Sequence, residues 1–434
     1  QKLALITFME KVRQAYEKIL EESIKKEYAK AVLTYLGFLI DRQIDYNSSL
    51  CIWAVEGEFI AHTFGRQALP MIWDYFELYP WSGATGDWNS AMDWITRTIK
   101  HFSEENNSKI YISQNSATSL PYSVNYFDAV ITDPPYYDNV PYSYLSDFFY
   151  VWLKRNIGDL YPELFATPLT PKADEIVAYS NGEEGFEGGK KFFEDMLTKA
   201  FQEIYRVLKP EGIACIVFAH KSTEAWETII NALISSGLYL TASWPLHTEM
   251  KARLRAKESA ALASSIYMVC RKRIKDETVY YDEIRPAIEA RIHEKLDQFW
   301  NEGINGSDFF ISAIGPALEV FGKYSGVEKP SGEKVTASEL IEFVRKTVSE
   351  YALTKIMKSP QLGGIDEQTR FYLLWRWTYN GAPILFDDAR KLAQAVGLEI
   401  TEEWSNGIIK KDKEWISVLS AEERGKNFLE KGKF

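Results

Sequence analysis

Apolar residues at Leu5, Phe8, Val12, Ala15 and Ile19 recur every three or four positions, which predicts one buried stripe on an amphipathic helix. A second helical pattern covers residues 27–44, and Asn89–Phe102 reads as a further helix. Between them, Ser48–Trp81 is irregular and is broken at Pro70 and Pro80, and Ser82–Asp87 reads as a loop. The period then changes. Lys109–Ser113 reads as a short strand, and Phe127–Thr132 as a second one. The near-continuous apolar run of the latter suits a strand buried in a parallel sheet. Lys191–Leu208 is helical, with Phe193, Leu197, Ala200, Ile204 and Leu208 on one face and Lys209-Pro210-Glu211-Gly212 ending it. Ile213–Ala219 is a strand, and Glu224–Ile234 is a helix closed by Ser235-Ser236-Gly237. Leu238–Trp244 and Ser264–Cys270 are two further strands. Strand and helix in alternation predict an α/β domain with a mostly parallel sheet.

From Val279 the pattern is helical again. Capping boxes stand at Thr336–Glu339 and Ser420–Glu423, Asp387–Val396 is a helix, and Ile408–Leu419 reads as a hairpin turning at Lys411-Asp412-Lys413. The expected organisation is a helical N-terminal region (1–107), an α/β core (108–276) and a helical C-terminal domain (277–434) that ends in a winged-helix-like module. No internal repeat or low-complexity tract interrupts it.

A chain of 434 residues, 46% hydrophobic and 26% charged, has material for two or three domains and excludes a disordered or collagen-like protein. Three dispersed cysteines and five dispersed histidines argue against a disulfide framework, a zinc ribbon or any local metal site. No run of 18 apolar residues and no signal-peptide pattern occur, so no membrane role and a cytoplasmic location are expected. The net charge of −11 argues against nonspecific coating of nucleic acid. Lys251–Lys275 runs against that sign, with eight basic residues and one acid, Glu258. Arg253, Arg255 and Lys257 are therefore candidates for phosphate contacts, although the same run can be a solvated loop with basic ends. The chain enters a helical pattern directly at Gln1, which suggests a fragment of something longer.

The chemistry concentrates in FDAVITDPPYYDNVPY. Asp133-Pro134-Pro135-Tyr136 falls at the carboxyl end of a strand, where open α/β sheets form their ligand crevice. An exocyclic amine on a nucleobase is a poor nucleophile because its lone pair is delocalised into the ring. Two acceptors aimed at its hydrogens favour a pyramidal nitrogen and localise that pair. The Asp133 carboxylate can be one acceptor and the Pro134 carbonyl the other. Pro134 and Pro135 stiffen the turn, so that carbonyl is held before reaction. Tyr136 can stack on a base extruded from its helix. Acceptors placed where positive charge develops act as preorganised electrostatic stabilisation. The structural alternative is a Pro-Pro turn in which Asp133 caps and Tyr136 packs.

The motif and its context resemble the amino-methyltransferases that use S-adenosylmethionine and act on adenine N6 or cytosine N4. The likeness covers residues 109–273 by order of strands and helices, including the YRVLKPEG turn before a strand and a closing β-hairpin. It implies a class I, Rossmann-like methyltransferase core. It also implies that the loop from Gln114 to Pro121 touches the cofactor's adenine through Ser116 and Ala117, with Asp133 sharing the cofactor site. Many relatives carry an acid where Ser116 stands. A narrower resemblance spans nearly the whole chain. DPPYYDNVPYSYLSDFFYVWLKR, HTFGRQALPMIWD and SDFFISAIGPALEVFGKY look like the large adenine-specific DNA methylase family that often carries a zinc ribbon. That family's Phe-x-Gly-x-Gly cofactor turn is not found in this sequence, nor is the ribbon. Both lie upstream in the family, so the core is expected to be incomplete, with the glycine-rich turn supplied by an upstream segment or a second chain.

The resemblance thus implies methyl transfer to a flipped DNA base, adenine N6 preferred, in restriction–modification or phage defence. The alternatives are cytosine N4, RNA as substrate, or a nucleic-acid-binding or scaffolding subunit without catalysis of its own. Tyr137, Asp138, Asn139, Tyr142 and Tyr144 read as a substrate-facing loop or as a tyrosine-rich surface turn. His220 and Lys221, after a strand, line the target-base pocket or bond locally. His62, Phe64 and Arg66 are candidates to approach the cofactor, and Cys215 and Cys270 belong in the core.

Overall fold

The computed structural model describes all residues except 23–24, 66–67, 105–109, 138–139, 179–184, 221–222, 248–263, 274–275, 359–363, 402–407, 421 and 425–434. The chain divides into two compact units, residues 1–113 with 138–177, and residues 114–137 with 178–434. This division differs from the three consecutive regions expected above, because the chain crosses between units on either side of the Asp-Pro-Pro-Tyr motif.

The first unit contains α1 (Lys2–Glu21), α2 (Lys26–Tyr46), the antiparallel pair β1 (Ile52–Ala54) and β2 (Phe59–Ala61), α3 (Trp88–Glu104) and α4 (Tyr142–Ile157). Leu5, Val12 and Tyr16 of α1 pack with Ala29, Leu33, Ile40 and Ile44 of α2 and Ile157 of α4. A side chain at Gly37 would meet Asn156 and Ile157 at an ordinary contact distance of 3.4 Å, so α2 and α4 lie close together there. Asp87 caps α3 by accepting the Ser90 N–H at 2.7 Å. Yet α3 buries only Ala91, and Trp94, Ile99 and Phe102 remain exposed. Residues 110–113, expected as a strand, form no sheet, and Ile110, Tyr111 and Ile112 lie exposed.

The second unit is built on a four-stranded sheet of β3 (Phe127–Thr132), β4 (Leu208–Phe218), β5 (Leu238–His247) and β6 (Ser264–Lys272), in the order β3-β4-β6-β5. The β3–β4 pair is parallel and the other two pairs are antiparallel, so the sheet is mixed among the described residues. α5 (Gly185–Val207) connects the parallel strands, and α6 (Thr223–Ser236) leads to β5 through Gly237, whose φ of +82° suits glycine. The residues Lys209-Pro210-Glu211-Gly212 bulge out of β4, since Phe127 pairs with Leu208 and Ala129 already pairs with Ile213. A side chain at Gly212 would lie 2.9 Å from the Asp128 carbonyl, which explains the glycine in that bulge.

One face of the sheet carries Ala214, Ile216 and Phe218 of β4 beside Cys270, Met268 and Ile266 of β6, all buried. Trp226 of α6 meets Phe218 edge-on at 5.0 Å on that face. The opposite face is open toward β3. Ala129 and Ile131 pair there with Ile213 and Cys215, and Ile131 is 79% exposed. β3 was expected to be buried. It is instead an edge strand with β4 as its sole described neighbour, so one face and one row of backbone groups have no cover.

Beyond the sheet, β7 (Thr278–Tyr280) leads into α7 (Tyr281–Asn301), followed by α8 (Gly306–Ser312), α9 (Ile314–Phe321), β8 (Gly326–Glu328) and α10 (Ala337–Met357). Ile284, Ile288, Ile292, Leu296 and Phe299 form the buried stripe of α7. The Thr336 capping box opens α10 with both reciprocal bonds present, and Ser420 and Glu423 also bond reciprocally. Then come α11 (Glu367–Tyr379), β9 (Ile384–Leu385), α12 (Phe386–Ala395), β10 (Ile409–Asp412) and β11 (Trp415–Val418). The expected hairpin is present, but it turns at Lys413-Glu414, because Lys411 and Asp412 still pair with Ile416 and Trp415; β9 joins it in the order β10-β11-β9 around a core that includes Phe371, Trp375 and Leu392. No helix among the described residues is long and apolar enough to cross a membrane.

Candidate active site

Asp133 to Tyr136 follow β3 at its carboxyl end, within the second unit. Asp133 is exposed, and among the described residues its carboxylate joins no hydrogen bond or ion pair. Pro134, Pro135 and Tyr136 are half-buried. The Tyr136 ring stands edge-on to Phe218 at 5.7 Å, an interplanar angle of 84°. Phe218 ends β4, so the two parallel strands deliver the motif and its brace side by side. Phe218 is itself fixed by Trp226, whose indole N–H donates to the His220 carbonyl at 2.8 Å.

Tyr137, whose place after the motif suggested a substrate-facing loop or a tyrosine-rich surface turn, is buried in this structure. It is 2% exposed, with its ring against Phe193 at 5.2 Å and His220 at 6.0 Å. His220 is likewise buried, with its ring near those of Tyr137 and Phe218. Alternation along the chain cannot forecast this, because the turn at Tyr137 has a φ of +56°. Asp138, Asn139, Lys221, Arg66, Arg253, Arg255 and Lys257 lie outside the described residues.

The loop read as the cofactor's adenine edge is pinned from below. Glu203 of α5 accepts the Leu120 N–H at 2.8 Å, and Arg206 donates to the Leu120 and Tyr122 carbonyls at 2.9 and 2.7 Å. The Arg206 guanidinium holds the Glu203 carboxyl below the usual carboxylate range. Ser116 is exposed and shares a hydroxyl contact of 2.8 Å with Thr118, and Ala117 is exposed. Sequence reasoning missed the Glu203–Arg206 clamp. Its signal was the three-residue spacing of opposite charges on a predicted helix.

Of the basic run, three residues serve the protein itself. Arg271 donates to the Glu211 carbonyl, buried Lys272 donates to Asn125 at 2.7 Å, and Arg273 donates to the Ile234 carbonyl. Burial holds the Lys272 ammonium below the usual lysine range. Cys270 is buried, whereas Cys215 is only partly so, and burial raises both thiols. In the first unit, His62 Nδ1 lies 3.3 Å from Asp45, and burial pushes Asp41 up to about 8. No cluster of three or more His, Cys, Asp or Glu that could hold a metal occurs among the described residues. No protein-family model, curated protein or solved structure matches the chain.

Proposed function

We propose that this chain is the catalytic half of an S-adenosylmethionine-dependent amino-methyltransferase that acts on an extruded base in DNA, adenine N6 in preference to cytosine N4. The observation that carries this reading is the motif at the end of a parallel strand, with an exposed Asp133 carboxylate and a Tyr136 ring braced by Phe218. Asp133 and the Pro134 carbonyl accept from the two amine hydrogens and localise the nitrogen lone pair. Tyr136 offers its face to the base while Phe218 takes its edge. S-adenosylmethionine, when bound, supplies an electrophilic methyl group.

The residues present fit that cofactor in part. The exposed Ser116-Ala117 segment, in a loop whose later residue Leu120 is held by Glu203 and Arg206, suits an adenine edge. No glycine-rich turn in this sequence offers the close backbone approach that the methionine end requires. The uncovered edge and face of β3 support the same view, because a parallel strand is ordinarily covered on both faces. A partner segment or chain that carries the turn would complete the site there. The order of α11, β9, α12 and the β10–β11 hairpin supports a winged-helix-like module that assists DNA contact.

The test is tritiated-methyl transfer by the assembled protein to adenine-containing duplexes, followed by product hydrolysis. Asp133→Ala should lower kcat by about 10²–10³-fold and change KM less. Near-full activity of that variant would make the motif a structural turn. N4-methylcytosine as product would move the target base, and transfer to RNA alone would move the substrate.

A further inference from the structure

We infer that Tyr137 is a positioning residue that sets the geometry of Asp133–Tyr136 without touching substrate, an inference that rests on the methyltransferase reading above. Tyr137 has φ +56°. That left-handed region is unfavourable for a bulky L side chain and persists only where the surroundings over-determine it. Here three restraints converge. The Tyr137 N–H donates to the Pro135 carbonyl at 3.1 Å, which closes a three-residue turn centred on Tyr136. The Tyr137 carbonyl accepts the Ala178 N–H at 3.1 Å, at the point where the chain returns to this unit after the excursion of residues 138–177. The ring is wedged between Phe193 of α5 and His220 beyond β4.

The wedge is what makes the turn affordable. Burial of the ring compensates the left-handed backbone, and the backbone in turn directs Tyr136 toward Phe218 and holds the Pro135 carbonyl. His220 and Phe218 are themselves tied to Trp226. The aromatic cluster therefore transmits the position of α5 and α6 to the motif. A surface turn would place Asn, Asp or Gly at such a φ. A buried tyrosine there is the costlier choice, and the placement of its neighbour accounts for it.

The experiment places 3-fluorotyrosine at position 136 of the full chain and compares its ¹⁹F resonance in the unaltered protein, Tyr137→Phe and Tyr137→Gly. Methyl-transfer kinetics follow in the assembled enzyme. Tyr137→Phe keeps the wedge and should keep one ring-shifted line and most of kcat. Tyr137→Gly relaxes the φ and removes the ring. Its line should move toward the free value, and kcat should fall by up to about 10²-fold with KM within about twofold, because misplacement of the acceptors acts on the transition state. If Tyr137→Gly does not fold, Phe193→Leu trims one wall of the slot and should shift both readouts the same way by less. An unmoved line overturns the inference, and so does a moved line with unchanged kcat. If the unaltered enzyme transfers no methyl group to any base, the methyltransferase reading fails, and the ¹⁹F shift alone decides whether Tyr137 positions its neighbour.

Discussion

The two ends of the four-stranded sheet are treated in opposite ways. At the β5 end, Leu238 and Leu240 are buried, and α9 approaches so closely that a side chain at Gly315 would fall 1.9 Å from Ser243 Oγ and 2.3 Å from its Cβ. At the β3 end, Ala129 and Ile131 face outward and the strand edge has no described partner. Stability is therefore concentrated at the end remote from the motif, and the candidate chemistry sits at the end left open. Helices repeat the contrast. α10 buries residues from Leu340 to Leu353 along its length, whereas α3, the more strongly amphipathic of the two, buries Ala91 alone. An amphipathic pattern identifies a face that can be buried. It does not supply the surface that buries it.

The widest separation between the two ends should appear in thiol chemistry. Cys215 lies on the open face opposite Ile131, while Cys51 and Cys270 are fully buried. Maleimide should modify Cys215 in the folded protein, and the other two only after unfolding, with rates at least about 10³ apart. Burial raises the Cys215 thiol, so less thiolate exists at neutral pH than for an ordinary cysteine. Its labelling should be slow near pH 7 and quicken about tenfold per pH unit until that raised pKa is reached. Equal rates for the three thiols would remove the distinction between the faces. Protection of Cys215 on addition of a partner chain would show that the open face is where the partner binds.

Substitutions grade the same contrast by stability. Leu240→Ala should cost about 2–5 kcal/mol in urea unfolding, as expected for a buried leucine whose surroundings relax only in part. Gly315→Ala should cost about 1–3 kcal/mol through overpacking against Ser243, which is 6% exposed and has little room to yield. Ile131→Thr should stay within about 0.5 kcal/mol, since its side chain already meets solvent. A loss at Ile131 comparable to that at Leu240 would break the comparison and show that β3 is covered in solution. A similar loss seen only with a partner present would sharpen it.

Most elements were legible because their causes are local. The 3.6-residue period fixed α1, α2 and α5, the reciprocal Thr336–Glu339 bonds fixed the start of α10, and the Phe127–Thr132 run gave β3 its bounds. The strand expected at residues 110–113 failed for a non-local reason. A strand requires a neighbouring strand to form a ladder, and residues 110–113 join no sheet among the described residues. The Asp-Pro-Pro-Tyr tetrad stood out in the sequence because each of its residue types has a distinct electronic or conformational role in the chemistry proposed for it. Its surroundings did not. Phe218, Trp226 and Phe193 lie some 60 to 90 positions along the chain and look like ordinary core residues in sequence.

By itself the sequence determined which segments could be helix or strand, where their caps fall, and that Asp133, Pro134 and Tyr136 follow a strand. Tertiary structure alone decided that β3 is an edge, that Cys215 and Cys270 on adjoining strands see different surroundings, and that Tyr137 turns inward. The physical reason is the range of the forces involved. Helical periodicity and capping are satisfied within a few residues, and the sequence states them directly. The cover of a sheet face, and the sign of φ at a residue wedged between Phe193 and His220, depend on which distant surfaces meet.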